Sequence, residues 1–561
     1  IICKTQKRLQ EKLTSLQHLN IFLMPLLVQA FLICFTTLSC VITWWWLKAR
    51  LSWTTAPAIN WPIVGMMPGL LRNATRVHDF VTDLLRHEGG TFLFKGPWFG
   101  GLDFVFTSDP CNVHHILSKN FSGYGKGPEI KKVLDPLGDG ILTSDGKEWM
   151  LQRRIIHSFI KDRKFELARE RATNRKIVDG LFVVLDQALE MGNLLDIQDV
   201  LRRLMFDIVS QLVLDYDPNT LTLGLPESKC AKAFTVIEEV TFLRNITPQI
   251  SWKLQKWLQV GKEKELTNAC KTFDHFLYGC IASKRQQLAR AEGSRGGPNQ
   301  SEDDDDHHHY NLLNFFLVDG DFKLNEDNNE DQDTFSFTKS DKFLRDTACS
   351  FVAAGRDSVA AGFAWLLWLV ATNPSVEKKI VEEMEEISDA KNRDTIKVFT
   401  KEEITKLVYL QASILETLRL YPPIPIDRLV SMGEDILPSG HKISKNTRVA
   451  YVPYSMGRME SIWGPDCLEF KPDRWISGQG SKKMSLRHVP AYKFSVFHTG
   501  PRTCLGKELA LEQMKAVGAA LLWRYRFQVV EDHPVFPTKS VILHMKHGLK
   551  VKVLKRNNIK C

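Results

Sequence analysis

One short run near the end of the chain constrains its fold more than any other feature. Residues 497–506 read FHTGPRTCLG, so Cys504 follows a loop that contains glycine and proline. Apolar residues recur at helical spacing from Leu505 to Leu521, which predicts an amphipathic helix that opens at the cysteine. The dipole of such a helix, and loop N–H groups turned toward the sulfur, favour a thiolate. The run therefore predicts a thiolate at a loop-to-helix junction, against the alternative of a buried structural cysteine.

Composition and charge limit the class of protein. The chain has 561 residues, of which 44% are hydrophobic and 25% charged, so we expect a folded protein with a large core. The net charge of +9 is spread without a Lys/Arg block, which suits an acidic protein partner or an anionic membrane and argues against nucleic-acid binding. The 11 cysteines show no paired spacing, which argues against a disulfide framework or a zinc ribbon and predicts a reducing compartment.

The stretch Ile21–Trp46 near the N-terminus contains no charged side chain. As a helix of 26 residues it would be about 39 Å long, whereas the hydrocarbon core of a bilayer is roughly 30 Å thick. Three tryptophans close the stretch and Lys48 and Arg50 follow, which is typical of an interface whose C-terminal side is cytoplasmic. We therefore expect a transmembrane anchor over residues 24–47, in preference to a cleaved signal peptide or a buried core helix.

Three further segments are defined by composition. Residues 1–23 carry basic side chains that would compete for the cytoplasmic side, and we expect them to be a non-native or lumenal extension. Prolines and glycines over residues 48–72 predict a stiff hinge. A polar run at 291–310, which includes an Asp/His tract, predicts a solvated loop in preference to a metal site.

Residues 73–561 are expected to form one domain that is mainly α with small β-sheets. Short strand-like runs such as 448–453 and a β-rich C-terminal tail accompany the helices, and no internal repeat is visible. The strongest helical patterns lie at 343–372, 401–420 and 505–524.

Five positions of the 497–506 run match the pattern FxxGxRxCxG, namely Phe497, Gly500, Arg502, Cys504 and Gly506. This pattern is the signature of the cytochrome P-450 superfamily, which the chain resembles from about Trp61 onward. The resemblance implies a cytochrome P-450 fold with one N-terminal transmembrane helix. It also implies that these positions bind haem b, with Cys504 as the axial ligand of the iron and Arg502 near a haem propionate.

A second motif supports the resemblance. Glu416 and Arg419 lie at i and i+3 on one predicted helix face and resemble the family's ExxR motif, whose partner would be Arg474. The alternative is a surface ion pair, worth about 0–1 kcal/mol. In the family this triad is internal, so the resemblance implies that loss of Arg474 prevents haem incorporation.

Two further segments resemble propionate-binding positions of the family. Trp149 and Arg153 match WxxxR in a predicted helix, and the resemblance implies that both contact haem propionates. Arg428 follows the proline-rich run 422–425 and stands where relatives often reach a propionate.

The segment 353–358 reads AAGRDS and is similar to the oxygen-binding motif [AG]Gx[DE]T. The resemblance implies that Asp357 and Ser358 supply protons to bound dioxygen, and small side chains at Ala354 and Gly355 would let a flat macrocycle approach. The alternative is a helix–helix crossing made close by small residues. Ser358 replaces the usual threonine and has more rotamer freedom, so we expect retained activity with some peroxide release.

The resemblance is nearest to plant fatty-acid ω-hydroxylases and mid-chain alkane hydroxylases. It implies a monooxygenase of the endoplasmic reticulum membrane whose catalytic domain faces the cytosol. No GxGxxG fingerprint is found, so electrons are expected from an NADPH–cytochrome P-450 reductase, and NADPH acts only indirectly through that flavoprotein. O2 and a small hydrophobic substrate are the other implied partners, with pocket lining from segments 121–128, 352–358 and 424–427.

Three functions stay open at this point. The first is hydroxylation of a long-chain alkane or fatty acid. The second is oxidative phenol coupling in plant alkaloid biosynthesis, which related enzymes perform. The third is a haem-binding protein without turnover, which the intact Asp357 and Ser358 argue against.

Overall fold

The computed structural model describes the chain in ten segments, which are residues 29–37, 39–41, 43–44, 59–98, 100, 102–294, 310–318, 338–388, 398–478 and 484–556. The extension predicted over 1–23 lies outside the described residues, as do the first part of the hinge and the Asp/His tract.

The described part of the domain is mainly helical with small sheets, as predicted. Its α-helices are α1 (Met67–Arg72), α2 (Val77–His87), α3 (Pro110–His114), α4 (Gly127–Val133), α5 (Gly146–Lys161), α6 (Arg163–Lys176), α7 (Val183–Met191), α8 (Ile197–Leu214), α9 (Lys229–Ile246), α10 (Gln249–Leu258), α11 (Gly261–Ser294), α12 (Leu312–Leu317), α13 (Asp341–Gly355), α14 (Asp357–Thr372), α15 (Pro374–Ile387), α16 (Lys401–Lys406), α17 (Val408–Leu420), α18 (Pro453–Met456), α19 (Glu460–Trp463) and α20 (Lys507–Arg524). Its strands are β1 (Thr91–Phe94), β2 (Phe104–Thr107), β3 (Tyr124–Gly125), β4 (Leu194–Asp196), β5 (Asp427–Ser431), β6 (Asp435–Ile436), β7 (Lys442–Ile443), β8 (Arg448–Tyr451), β9 (Ile476–Ser477), β10 (Ser485–Leu486), β11 (Tyr525–Val529) and β12 (Lys550–Lys555).

Two of the predicted helices are each interrupted once. The pattern at 343–372 forms α13 and α14, which are separated at Arg356 where ψ is −68°. The pattern at 401–420 forms α16 and α17, which are separated at Leu407 where ψ is 81°. Hydrophobic periodicity continues across both breaks, so the pattern alone could not reveal them.

The largest sheet links the N-terminal part of the domain to its C-terminal half. Its strand order is β1-β2-β8-β5-β3, and β2 pairs with β8 in parallel register, with Val105 opposite Val449. The strand predicted at 448–453 ends at Tyr451 because Pro453 lacks an N–H and begins α18. The β-rich C-terminal tail is confirmed by the antiparallel sheet β11-β12-β4.

The core surrounds α14 and α20. Nearly every side chain of α14 from Val359 to Val370 is buried. α20 is buried on almost all its faces from Leu511 to Trp523, including the polar Gln513 and Lys515. The prediction of an amphipathic helix is therefore wrong for α20, because neighbouring helices cover it on all sides.

The predicted anchor at 24–47 is described only in part. Its described residues between 29 and 44 are helical, and Phe31, Ile33 and Phe35 expose most of their surface. Over the segments that the structure describes, no single helix is long and apolar enough to cross a membrane. Among the described residues, the bent pair formed by Asp341–Thr372 and Pro374–Ile387 meets those criteria of length and composition when the two helices are taken together.

Candidate active site

The loop before α20 holds Cys504 by backbone contacts. The N–H of Cys504 donates to the carbonyl of Phe497 at 2.9 Å, which closes the loop. Gly500 has a φ of +67°, and an added Cβ would lie 2.1 Å from the carbonyl oxygen of Leu117, so only glycine fits there. α20 begins at Lys507, so the prediction that Cys504 opens the helix is wrong by three residues.

The Cys504 side chain is accessible although protein atoms crowd around it. Burial raises the pKa of its thiol, and the Gly506 N–H, Arg153 and Lys507 oppose this shift without reversing it. The Gly506 N–H and the two cations thus favour the thiolate, as expected, but they do not outweigh burial. A metal cation bound at the sulfur would do so.

α5 brings Trp149 and Arg153 against the cysteine loop. Arg153 Nη2 donates to the carbonyl of Thr503 at 2.7 Å. The guanidinium carbons of Arg502 and Arg153 lie 4.6 Å and 5.5 Å from the centre of the Trp149 ring. Arg502 thus meets Trp149 and Arg153, which are distant from it in sequence, beside Cys504.

Asp145 connects segment 121–128, which is predicted to line the pocket, to the cysteine loop. Its carboxylate accepts from Arg502 Nη2 at 2.6 Å and from the N–H groups of Lys126 and Gly127 at 2.9 Å each. The Lys126 ammonium in turn lies 3.1 Å from Asp427, which joins segments 121–128 and 424–427. Sequence reasoning missed Asp145, because it belongs to no motif.

Arg428 lies on β5 beside this group. Burial and the charge of Arg448 lower its pKa to about 10. Its backbone N–H donates to Asp427, but its guanidinium has no hydrogen-bond or ion-pair partner among the described residues. A partly buried cation without a partner among the described residues favours an anionic ligand group at this position.

These residues fit the haem that the sequence implies. The Cys504 thiol needs a cation for ionisation, the Arg428 guanidinium lacks a partner, and Arg502 Nε is buried without a hydrogen-bond acceptor. A macrocycle that carries a metal ion and two carboxylates would satisfy all three groups.

The second predicted site lies at the break between α13 and α14. The Ser358 hydroxyl donates to the carbonyl of Ala354 at 2.5 Å. Asp357 is fully buried, and Arg202 Nε donates to its Oδ1 at 2.8 Å. A Cβ on Gly355 would lie 3.0 Å from Val209 Cγ2 of α8, so the close helix crossing considered as the alternative exists at Gly355.

Asp357 has neighbours that sequence reasoning missed. Glu238, Asp357 and His544 each offer an oxygen or nitrogen atom within 4.8 Å of the others. Glu238 comes from α9 and His544 from the loop before β12, so no local pattern could have revealed the cluster.

The ExxR motif forms the internal triad that the resemblance implied. Glu416 and Arg419 are fully buried, and the closest nitrogen and oxygen of the pair lie 2.7 Å apart. Arg474 Nε lies 3.3 Å from the same carboxylate. The alternative of a surface ion pair is therefore wrong.

The family model described as Cytochrome P450 matches residues 56–553. The chain is 39% identical over 500 residues to an alkane hydroxylase, MAH1, of Arabidopsis thaliana, which covers 89% of this chain and 93% of the relative. It is 37% identical over 528 residues to noroxomaritidine synthase 1 of Narcissus pseudonarcissus, with 93% and 96% covered. Cytochrome P450 86B1 of Arabidopsis thaliana is 37% identical over 508 residues, with 89% and 85% covered.

Proposed function

The chain belongs to the cytochrome P450 family and is a monooxygenase, and on that premise we propose that it hydroxylates a long-chain alkane or fatty acid. The observation that carries the site assignment is the meeting of Cys504 with Trp149, Arg153 and Arg502. The similarity to an alkane hydroxylase supports the aliphatic substrate.

In this proposal Cys504 would hold the iron through Sγ, in the loop that contains Phe497 and Gly500 and leads to Gly506. An added Cβ at Gly506 would lie 3.9 Å from Sγ, in ordinary van der Waals contact, so Gly506 borders the ligand without a steric requirement for glycine. Haem, when bound, supplies the reductive activation of dioxygen.

The chain's cationic and aromatic side chains orient the cofactor. Arg153, Arg502 and Arg428 neutralise its carboxylates, while the Trp149 ring lies against two of these guanidinium groups.

Protons are supplied at the break between α13 and α14. The Ser358 hydroxyl, which donates to the Ala354 carbonyl, is the proton donor at this position. The neighbouring residue Asp357 is the acid that resupplies its proton. Since Ser358 lacks the γ-methyl of threonine, its hydroxyl is less restricted.

Electrons come from an NADPH-dependent flavoprotein reductase. The net charge of +9 on this chain suits an acidic surface on that partner. The exposed apolar side chains of the described residues between 29 and 44, such as Phe31, Ile33 and Phe35, support attachment to the endoplasmic reticulum membrane through the N-terminal segment, with the catalytic domain on the cytosolic side.

A second candidate substrate class has its own support. The 37% identity to noroxomaritidine synthase 1 favours oxidative phenol coupling of an alkaloid precursor. Coupling would form a carbon–carbon bond with loss of two hydrogen atoms from the phenol, while O2 is reduced to water with electrons from the reductase and no oxygen is inserted into the product.

The test is turnover of the full chain with reductase in lipid vesicles, offered an alkane, a fatty acid or a phenolic alkaloid. We expect hydroxylated aliphatic products, and consumption of the phenol alone would refute the lipid assignment. Cys504→Ala should abolish the thiolate-type Soret band of the reduced, carbon-monoxide-treated protein. Cys111→Ala, which removes an exposed cysteine elsewhere, is the control and should keep the band.

A further inference from the structure

A cluster of polar side chains surrounds the buried Asp357, and its other members belong to no sequence motif. Its acidic members are Glu238 and Asp357, and His544 lies close to both. Glu238 lies on α9, whereas Asp357 is the first residue of α14. Folding therefore sets a second carboxyl group directly beside the proposed proton donor.

Asp357 has one satisfied and one unsatisfied oxygen atom. Arg202 donates to its Oδ1, but no hydrogen-bond donor among the described residues reaches its buried Oδ2, which lies 3.4 Å from the cation Arg356 at Nη1. Burial opposes ionisation of Asp357, yet the guanidinium groups of Arg356 and Arg202 outweigh it and hold its pKa below the ordinary value. Asp357 is therefore a carboxylate that still needs a donor at Oδ2.

Glu238 can supply that donor. Burial, and then the negative charge of Asp357, raise the pKa of Glu238 well above its ordinary value. Two carboxyl groups this close cannot both ionise, so one proton stays on the pair. Because the arginines favour ionisation of Asp357, the proton belongs to Glu238.

The other groups that face the pair do not compete for this proton at neutral pH. Burial lowers the pKa of His544 to about 4, so its ring is neutral. Burial raises the pKa of Cys230 on α9 to about 12, so its thiol keeps its own proton. Arg202 and Arg356 are cations, and their charge also opposes a divalent metal ion between the acids.

A solvent-open cavity reaches Glu238. The cavity has a volume of about 380 Å³, and Glu238, Asp199 and Lys546 are among the side chains that line it. Glu238 is partly accessible there, whereas Asp357 is fully buried and is not among the described residues that line the cavity. Water can therefore exchange a proton with Glu238 but not directly with Asp357.

We propose that Glu238 is the entry residue of the proton path, passing a proton from the cavity to Asp357, which replaces the proton that the Ser358 hydroxyl gives up in each catalytic cycle. The inference rests on the proposed proton supply by Asp357 and Ser358. Glu238 loses its proton to Oδ2 of Asp357 and becomes a carboxylate, and it regains a proton from an acid in the cavity water, such as hydronium. No electrons move in these transfers. Because Asp357 is the stronger acid of the two, it passes the proton on and does not retain it.

The test compares Glu238→Gln and Glu238→Asp with Glu239→Gln, which removes an exposed carboxylate from the same cavity. Each full-length variant is loaded with haem, and an unchanged thiolate-type Soret band shows that it folds. Infrared spectra then report the carbonyl stretch of a protonated carboxylic acid. Turnover with reductase in vesicles reports product and peroxide per NADPH, together with the solvent isotope effect.

We expect the wild-type chain and Glu239→Gln to show the infrared band and Glu238→Gln to lose it. Compared with the wild-type chain, Glu238→Gln should also yield less product per NADPH by a factor of about 10 or more. It should form more peroxide and show a larger solvent isotope effect. Glu238→Asp should recover part of the loss. In the wild-type chain, product per NADPH should decline as pH rises through the raised pKa of Glu238, and Glu238→Gln should remove this decline.

Two results would overturn the relay. The first is an infrared band that is absent from the wild-type chain or that survives in Glu238→Gln. The second is a yield of product per NADPH that is equal in Glu238→Gln and Glu239→Gln. Failure of the wild-type chain to oxidise the alkane, the fatty acid and the phenol would instead refute the proposed function, while the infrared band still decides where the proton lies.

Discussion

Replacement of Glu416 by glutamine should prevent stable haem loading. The Glu416 carboxylate accepts hydrogen bonds at 2.7 to 3.3 Å from the side chains of Arg419, Arg474 and Trp475 and from the backbone N–H of Lys471. Glutamine has nearly the same volume, so the substitution removes the charge without creating a cavity. The Arg419 guanidinium, which is fully buried, would then have no counter-charge.

The magnitude follows from this burial. Breaking a buried ion pair costs about 3–5 kcal/mol, whereas a folded protein has only about 5–15 kcal/mol of stability in total. The matched control is Lys379→Ala, which removes an ion pair with Asp473 whose lysine side chain is 50% exposed. Exposed pairs contribute about 0–1 kcal/mol, so this variant should behave like the wild-type chain.

The assay measures haem per polypeptide from the thiolate-type Soret band, and then the loss of that band in urea. We expect Glu416→Gln to carry little haem and to lose it at a lower urea concentration than Lys379→Ala does. Equal haem content and equal urea midpoints in the two variants would show that the triad is not needed for the fold around the cofactor.

Four more substitutions, one of them a control, test other parts of the structure. Gly500→Ala should cost about 2 kcal/mol or more and lower haem content, because its φ is +67° and the new Cβ would lie 2.1 Å from the Leu117 carbonyl oxygen. Gly440→Ala, with a φ of +83° but no atom within 4 Å, isolates the backbone strain and should cost less. Ser358→Thr should lower the peroxide formed per NADPH, because threonine has fewer rotamers; unchanged or higher peroxide would contradict the assigned role. Burial lowers the pKa of His78 from 6.5 to about 4. Between these two pH values the unfolded chain binds a proton at His78 and the folded chain does not. The free energy of unfolding therefore falls as the pH drops from 6.5 to about 4. His78→Phe should therefore lose about 3 kcal/mol less stability than the wild-type chain does between pH 7 and pH 4, measured by urea unfolding.

The sequence predicted those parts of the site that short patterns encode. The cysteine loop depends on glycines and on backbone bonds within a few residues, such as that from Cys504 to Phe497. Glu416 and Arg419 are one helical turn apart, so their pairing follows from helix geometry. Both features could therefore be recognised before any tertiary structure was known.

Other parts depend on packing between distant segments. Glu238 and His544 meet Asp357 only because α9 and the C-terminal loop pack against the start of α14. The burial of α20 on nearly every face likewise reflects its neighbours and not its own periodicity. The raised pKa of Cys504 has the same origin, since desolvation by surrounding residues exceeds the effect of the nearby N–H group and cations.

The parallel pairing of β2 with β8 has a consequence for how the chain matures during synthesis. Val105 and Val449 are partners across about 340 residues of intervening sequence. At about 5–20 residues per second, a ribosome needs roughly 17 to 70 s to make the later strand after the earlier one. During that interval the edge of β2 that later pairs with β8 has no partner, so newly made chains should depend on chaperones that shield this edge until the later strand is made.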